Sequence, residues 1–252
     1  SLSFEQSGTS PLNFLGAVAL GVLAFKGFTT ITNSGSEIKE PHKNVGRAIM
    51  IALGICLVVY ILVTLAVGSS LSLEEILQAK NYSLAEAARP SYGSLGVSVM
   101  VGLAIVATVS GIIASMFAVS RMLAMLTDME LVPHRHFGMP GSIQKHTLVY
   151  TAVLAGLLTV IFDVSSIAAL GAFFYIAMDL LIHYGVLRHA NRNEVNFRPW
   201  ILKLAITVDV VILGGLLYVK AKSDLTILAI TGLTMVVIYF YERHFINESD
   251  DK

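Results

Sequence analysis

Apolar residues along the chain gather into seven runs, near 12–33, 47–68, 94–126, 147–162, 166–187, 200–219 and 225–241, parted by short polar segments. Roughly 20 apolar residues in a helix cross a bilayer core of about 30 Å. The runs lack the period-two alternation of a membrane barrel strand, and only helices otherwise satisfy their backbone groups in lipid. Each run is therefore predicted to be a helix. The fourth is short and ends at the turn Phe162-Asp163-Val164-Ser165. The third is longer than one span and is expected to tilt or to project into water. The fold class that follows is all-α integral membrane, with about seven transmembrane helices in a single transmembrane domain over residues 1–252.

The loops are not equivalent in charge. One set comprises 34–47, 121–146, 188–203 and the tail 243–252. It carries Lys39, Lys43, Arg47, Arg121, Arg135, Lys145, Arg188, Arg192, Arg198, Lys203, Arg243 and Lys252. The opposite set has Lys80, Arg89, Lys220 and Lys222. A bias of 12 to 4 assigns the first set to the cytoplasm, with the N-terminus outside and the C-terminus inside. The expected location is the cell membrane.

Composition agrees with the pattern. Apolar residues make up 55% of the 252 and charged residues 13%, against about 25% charged in a soluble domain. Basic and acidic residues balance at 17 each, so no net charge recommends a nucleic-acid partner. The single cysteine, Cys56, lies in an apolar run and reads as a packed side chain. The chain opens Ser1-Leu2-Ser3-Phe4-Glu5 without an initiator Met or a basic leader. Together with the outside N-terminus, this leads us to expect further helices upstream.

Two interior patterns bear on packing. Ala104, Ala107, Gly111, Ala114 and Ala118 are spaced 3, 4, 3 and 4, a face of small residues along which another helix can approach closely. Arg121 continues that stripe and reads as a cation snorkelling to the interface. Gly27 sits near the middle of the first run, where glycine costs about 1 kcal/mol of helix stability relative to alanine.

The stretch around Gly27 carries a resemblance. It reads Ala24-Phe25-Lys26-Gly27-Phe28, then Glu37, Lys39, Pro41, Lys43 and Asn44 in the following loop, then Arg47-Ala48-Ile49. This resembles the sixth helix and following loop of the amino acid–polyamine–organocation (APC) permeases. Leu84-Ala85-Glu86-Ala87-Ala88, Ser110 and Ser120-Arg121-Met122-Leu123 resemble the family's eighth helix and its entry loop. Ala169-Leu170-Gly171-Ala172 and Gly185-Val186-Leu187-Arg188 resemble its tenth. The likeness covers about residues 14–245.

That resemblance implies helices six to twelve of a twelve-helix secondary transporter. The chain would hold the second of two inverted repeats and two extra helices of the leucine-transporter-like fold. The first and sixth helices of such proteins are broken at the midplane, where the substrate sits. It implies Ala24, Phe25, Lys26, Gly27 and Phe28 as substrate-binding residues, an amino acid or related amine as substrate, and proton coupling or exchange as the driving process. The partners implied are the lipid bilayer and the helices upstream. No cofactor, metal or catalytic residue is implied.

Several residues depart from that pattern or stand out against lipid. Lys26 occupies a position that is usually apolar in the family, and a Lys at the bilayer centre costs at least about 2.5–3.5 kcal/mol. We expect it to face the central cavity, binding an anionic substrate group or titrating in a proton-coupled cycle. Thr29 stands where the family often has an acid, which weakens any carry-over of proton gating to that position. Asp179 has Tyr175 and His183 four residues away on either side, so one helix face bears all three. They form a relay, a gate or an interhelical hydrogen-bond cluster. Asp209, central in the sixth run, is expected to pair with His183 or another polar group of the fifth run, in a packing role. Thr108 and Ser110 are ion-coupling candidates only by analogy with sodium-coupled relatives of the fold, and such hydroxyls commonly bond back to their own helix.

Other signals are thin. His134-Arg135-His136 reads as a solvated positive loop, and Asn81-Tyr82-Ser83 matches the glycosylation acceptor by a three-residue pattern alone. The sequence has no P-loop, dinucleotide fingerprint or Ser/His/Asp signature, so an enzyme is not expected. The alternative is a stand-alone seven-helix membrane receptor or an assembly subunit. A retinal protein would need a Lys in the last helix, and 225–241 has none. Asp179 and Asp209 lack the flanking motifs of a di-aspartyl protease.

Overall fold

The computed structural model describes residues 11–27, 31–32, 38–132, 140–189 and 198–250. Among them regular structure is helical throughout. The helices are α1 (Pro11–Ala24), α2 (Pro41–Ser70), α3 (Leu73–Ala79), α4 (Ser83–Ala87), α5 (Arg89–Asp128), α6 (Ile143–Ile161), α7 (Val164–His189), α8 (Pro199–Ser223) and α9 (Leu225–Asp250), with a 3-10 turn at Lys80–Tyr82.

Each apolar run is helical, and the edges move for local reasons. Pro41, Pro90 and Pro199 sit in the first turns of α2, α5 and α8, where a missing N–H costs nothing. Those helices therefore start in polar flanks ahead of their apolar runs. The first run is one helix only to Ala24, because a turn interrupts it at residues 25–27. α5 spans 40 residues, but Gly93 breaks it with φ +58°, so its continuous part begins where the apolar run begins.

Four helices, α2, α5, α7 and α8, have the length and hydropathy to cross a membrane, while Pro11–Ala24 and Leu225–Tyr241 are shorter apolar helices. α6 has 19 residues, and Gln144, Lys145 and His146 occupy its first turn. α2 buries no residue, and Leu62, Leu65, Ile105 and Val106 of α2 and α5 lie open. Water would not tolerate apolar faces of this extent, whereas lipid does. The chain is an all-α integral membrane protein.

The helices form two compact units. In one, α1, α7, α8 and α9 pack together, and the end of α6 belongs to the same unit. Its core holds Ala19, Ala172, Phe173, Ile176, Ile212 and Leu216. α1 meets α8 through glycines: the Cβ position of Gly16 lies 3.0 Å from Val219 Cγ2, and that of Gly215 lies 2.4 Å from Leu15 Cβ. Backbones this close need residues without side chains at the crossing.

The other unit holds α2 to α5 and the start of α6. Ser72 caps α3 in a reciprocal box with Glu75, the hydroxyl accepting from the Glu75 N–H and the carboxylate from the Ser72 N–H. Buried Thr147 of α6 donates its hydroxyl to the Ser120 carbonyl of α5 at 2.9 Å. The small-residue stripe of α5 is not covered within this unit: Ala104, Ala107, Gly111 and Ala114 are exposed, and a Cβ at Gly111 would meet nothing within 4 Å.

Candidate functional site

The end of α1 tightens before it stops. Phe25 donates its backbone N–H to the Val22 carbonyl at 3.1 Å and Lys26 to the Leu23 carbonyl at 3.0 Å. Both reach back three residues, the 3-10 spacing of a terminating helix. Gly27 follows at φ +140°, a backbone region that glycine alone enters without strain. A Cβ there would meet nothing within 4 Å, so backbone conformation rather than space requires the glycine. Residues 31–32 are again helical. The regular helical hydrogen-bond pattern thus lapses at residues 25–27, in the middle of an apolar run.

Lys26 extends from this turn to α7. Its Nζ pairs directly with Asp179 Oδ2, and Tyr175, one turn earlier on α7, presents its ring 5.3 Å from the ammonium. One turn beyond Asp179, His183 Nδ1 lies 2.8 Å from Asp209 Oδ2 of α8. The spacing of α7 explains this placement. Ala172, Ile176, Asp179 and His183 follow one another at 4, 3 and 4 residues, which is a single helical stripe. Ala172 and Ile176 are core residues, so the same face turns from apolar to charged along the helix. On α8, Asp209 lies three residues before Ile212 and seven before Leu216, continuing their buried face. A lone cation or carboxylate at such positions is costly; opposite charges in contact offset that cost.

The structure therefore brings Lys26, Tyr175 and Asp179 together and joins His183 to Asp209, as the spacing on α7 foreshadows. Ala24 is exposed at the end of α1, and Phe25 is half-buried. Thr108 and Ser110 belong to the other unit. There Thr108 lines a cavity of about 420 Å³ with Asn81, Tyr82 and Ala85, while Ser110 is exposed on α5. Phe28, Thr29, Glu37, the His134-Arg135-His136 cluster, Arg192 and Lys252 lie outside the described residues. Among the described residues no cluster of His, Cys, Asp and Glu has the composition to hold a metal ion.

The direct Lys26–Asp179 pairing goes beyond what we read from the sequence. Its signal was present, because each residue is an isolated charge inside an apolar run and two such charges of opposite sign seek each other in lipid. The spacing on α7 puts Tyr175 on the face of Asp179 but does not point it to Lys26.

Comparison with known proteins adds the family context. The family model described as amino acid permease matches residues 3–241. The inner membrane transport protein YbaT of Escherichia coli is 24% identical over 208 residues, covering 81% of this chain and 47% of that protein. An uncharacterized transporter of Mycobacterium tuberculosis is 32% identical over 178 residues, covering 68% of this chain and 38% of that one. An uncharacterized protein of Methanocaldococcus jannaschii is 40% identical over 80 residues, covering 32% of this chain and 18% of that protein. The chain spans less than half the length of these curated relatives.

Proposed function

The chain belongs to the amino acid permease family, and from that premise we propose that it carries the broken-helix half of the substrate site of a secondary transporter for amino acids or related amines. The observation that carries this reading is the interruption of α1 at residues 25–27, with Gly27 at φ +140° in the middle of an apolar run. Irregular backbone at membrane depth is tolerated where it lines a cavity or is buried in protein. Main chain that leaves the regular helix here can turn polar groups toward the ammonium and carboxylate of an amino acid. Ala24, Phe25, Lys26, Gly27 and Phe28 form this half-site. Further helices supply the other half, and this chain corresponds to the second inverted repeat with two additional helices. The chain alone does not transport.

Movement of one helix bundle against another around the fixed site exposes it alternately to each side. A proton gradient or substrate exchange drives the cycle. The charge bias of the loops supports an orientation in the cell membrane with the N-terminal end of this chain outside and the C-terminal end in the cytoplasm.

The test is uptake of labelled amino acids and amines by the intact permease reconstituted in vesicles. Saturable uptake that falls at least about tenfold when Gly27 becomes alanine, with the folded fraction unchanged, is the expected result. Wild-type vesicles that accumulate none of these compounds under a proton gradient or with internal exchange substrate would sink the transporter reading.

A further inference from the structure

The charges at the break are already spent on each other. The Lys26 side chain is 9% exposed and that of Asp179 27%, and the two are in direct contact. The Tyr175 ring closes one side of the ammonium. A ligand entering beside residues 25–27 thus meets a neutral couple, and the more open member of that couple is the carboxylate.

From this we propose that the Lys26–Asp179 couple is a selectivity element that excludes substrates with an acidic side chain and favours zwitterions with neutral side chains. The inference rests on the half-site reading above. A second carboxylate on the substrate has two choices at this site. It can stay beside Asp179, where like charges repel, or it can displace Asp179 from Lys26 and leave that carboxylate unpaired at membrane depth. Both are unfavourable, and an uncompensated charge of this kind is an effective means of rejecting a wrong ligand. A neutral side chain triggers neither. The usual reading of a lone Lys in a binding site, attraction of an anion, is thereby reversed by its partner.

The reversal is conditional on Asp179. Asp179→Asn takes the carboxylate away from the Lys26 ammonium, and a substrate carboxylate is the natural replacement. Lys26→Met/Asp179→Asn removes both charges and with them any attraction for an acid.

The experiment measures competition by alanine and glutamate for uptake in the intact permease, in wild type and in these two variants. Expected are a preference of wild type for alanine over glutamate of at least about tenfold, a shift of about tenfold or more toward glutamate in Asp179→Asn, and a return to rejection in the double variant. A wild type that takes glutamate as well as alanine overturns the proposal, and that result needs no variant to fold. An Asp179→Asn protein that folds and loses both substrates in equal proportion overturns it as well, and reduces the couple to a structural tie. Absence of uptake for every amino acid and amine in wild type would strike the transporter reading itself and this inference with it.

Discussion

The Cβ position of Gly215 on α8 lies 2.4 Å from Leu15 Cβ on α1, closer than two such atoms approach in folded proteins. The neighbour is the root of a side chain, fixed to its backbone, so a methyl group at position 215 can be admitted only by moving a helix. Gly215→Ala is expected to destabilise the α1–α8 pairing by about 1–3 kcal/mol. Gly16→Ala on the same interface is expected to cost less, because its contact is the terminal methyl of Val219 at 3.0 Å. Thermal or denaturant unfolding of the purified protein in detergent checks the order. Equal stability of Gly215→Ala and wild type would mean that the helices sit farther apart than described.

Lys26 and Asp179 make a stability prediction that is separate from selectivity. Removing Lys26 takes the paired cation away from Asp179 among apolar helices. Lys26→Met alone is expected to cost about 3 kcal/mol, the lower end for buried pairs, since Asp179 keeps some exposure. Lys26→Met/Asp179→Leu is expected to recover most of that loss, because two apolar side chains replace two matched charges. A double-mutant cycle read by unfolding separates the cases. Additive losses would show that the two side chains do not interact in the folded protein.

These two interfaces differ in how far the sequence revealed them. The apolar runs located the helices, because helix length in lipid is dictated by bilayer thickness, although α1 stops at Ala24 inside its run and α9 continues past its run to Asp250. The break at Gly27 was also legible, since a glycine in an apolar run flanked by a known family pattern has few other uses. The α1–α8 crossing was not. Gly16 and Gly215 look like other glycines until the fold shows which ones face a neighbouring backbone. The pairing of His183 with Asp209 lay between these extremes: spacing put polar residues on interior faces, but partner choice depends on how α7 and α8 align. The stripe on α5 shows the opposite outcome, as a clear sequence pattern whose four residues from Ala104 to Ala114 remain uncovered in their own unit.

Asp163 gives a pH prediction outside the membrane-spanning helices. Its Oδ1 accepts the Ser166 backbone N–H at 2.6 Å, at the start of α7. That hydrogen bond, reinforced by the Ser166 side chain, holds the carboxyl below its usual range. A depressed folded value means that the stabilisation is fully present above the unfolded pKa of about 3.9 and is lost as pH falls through the folded value. Wild type is therefore expected to lose thermal stability below about pH 4 more steeply than Asp163→Asn, and the two curves should run parallel above about pH 5. Parallel curves throughout the acid range would show that the Asp163–Ser166 hydrogen bond contributes nothing to stability.

The last prediction separates packing from proton transfer at His183. The bond to Asp209 at 2.8 Å joins α7 to α8 and gives His183 a structural reason to exist. Glutamine at this position can still donate a hydrogen bond to Asp209, but it does not titrate. His183→Gln is expected to retain most of the stability and to keep the pH profile of uptake by the intact permease. His183→Leu removes the donor and strands the carboxylate. It should lower stability by about 1 kcal/mol or more, with partial recovery in His183→Leu/Asp209→Leu. A flattened pH profile in folded His183→Gln would contradict the packing role and assign the histidine to a proton path. Because Gln and Leu differ in hydrogen bonding while both lack a titrating proton, the pair of variants distinguishes the two roles even if each reduces the overall rate.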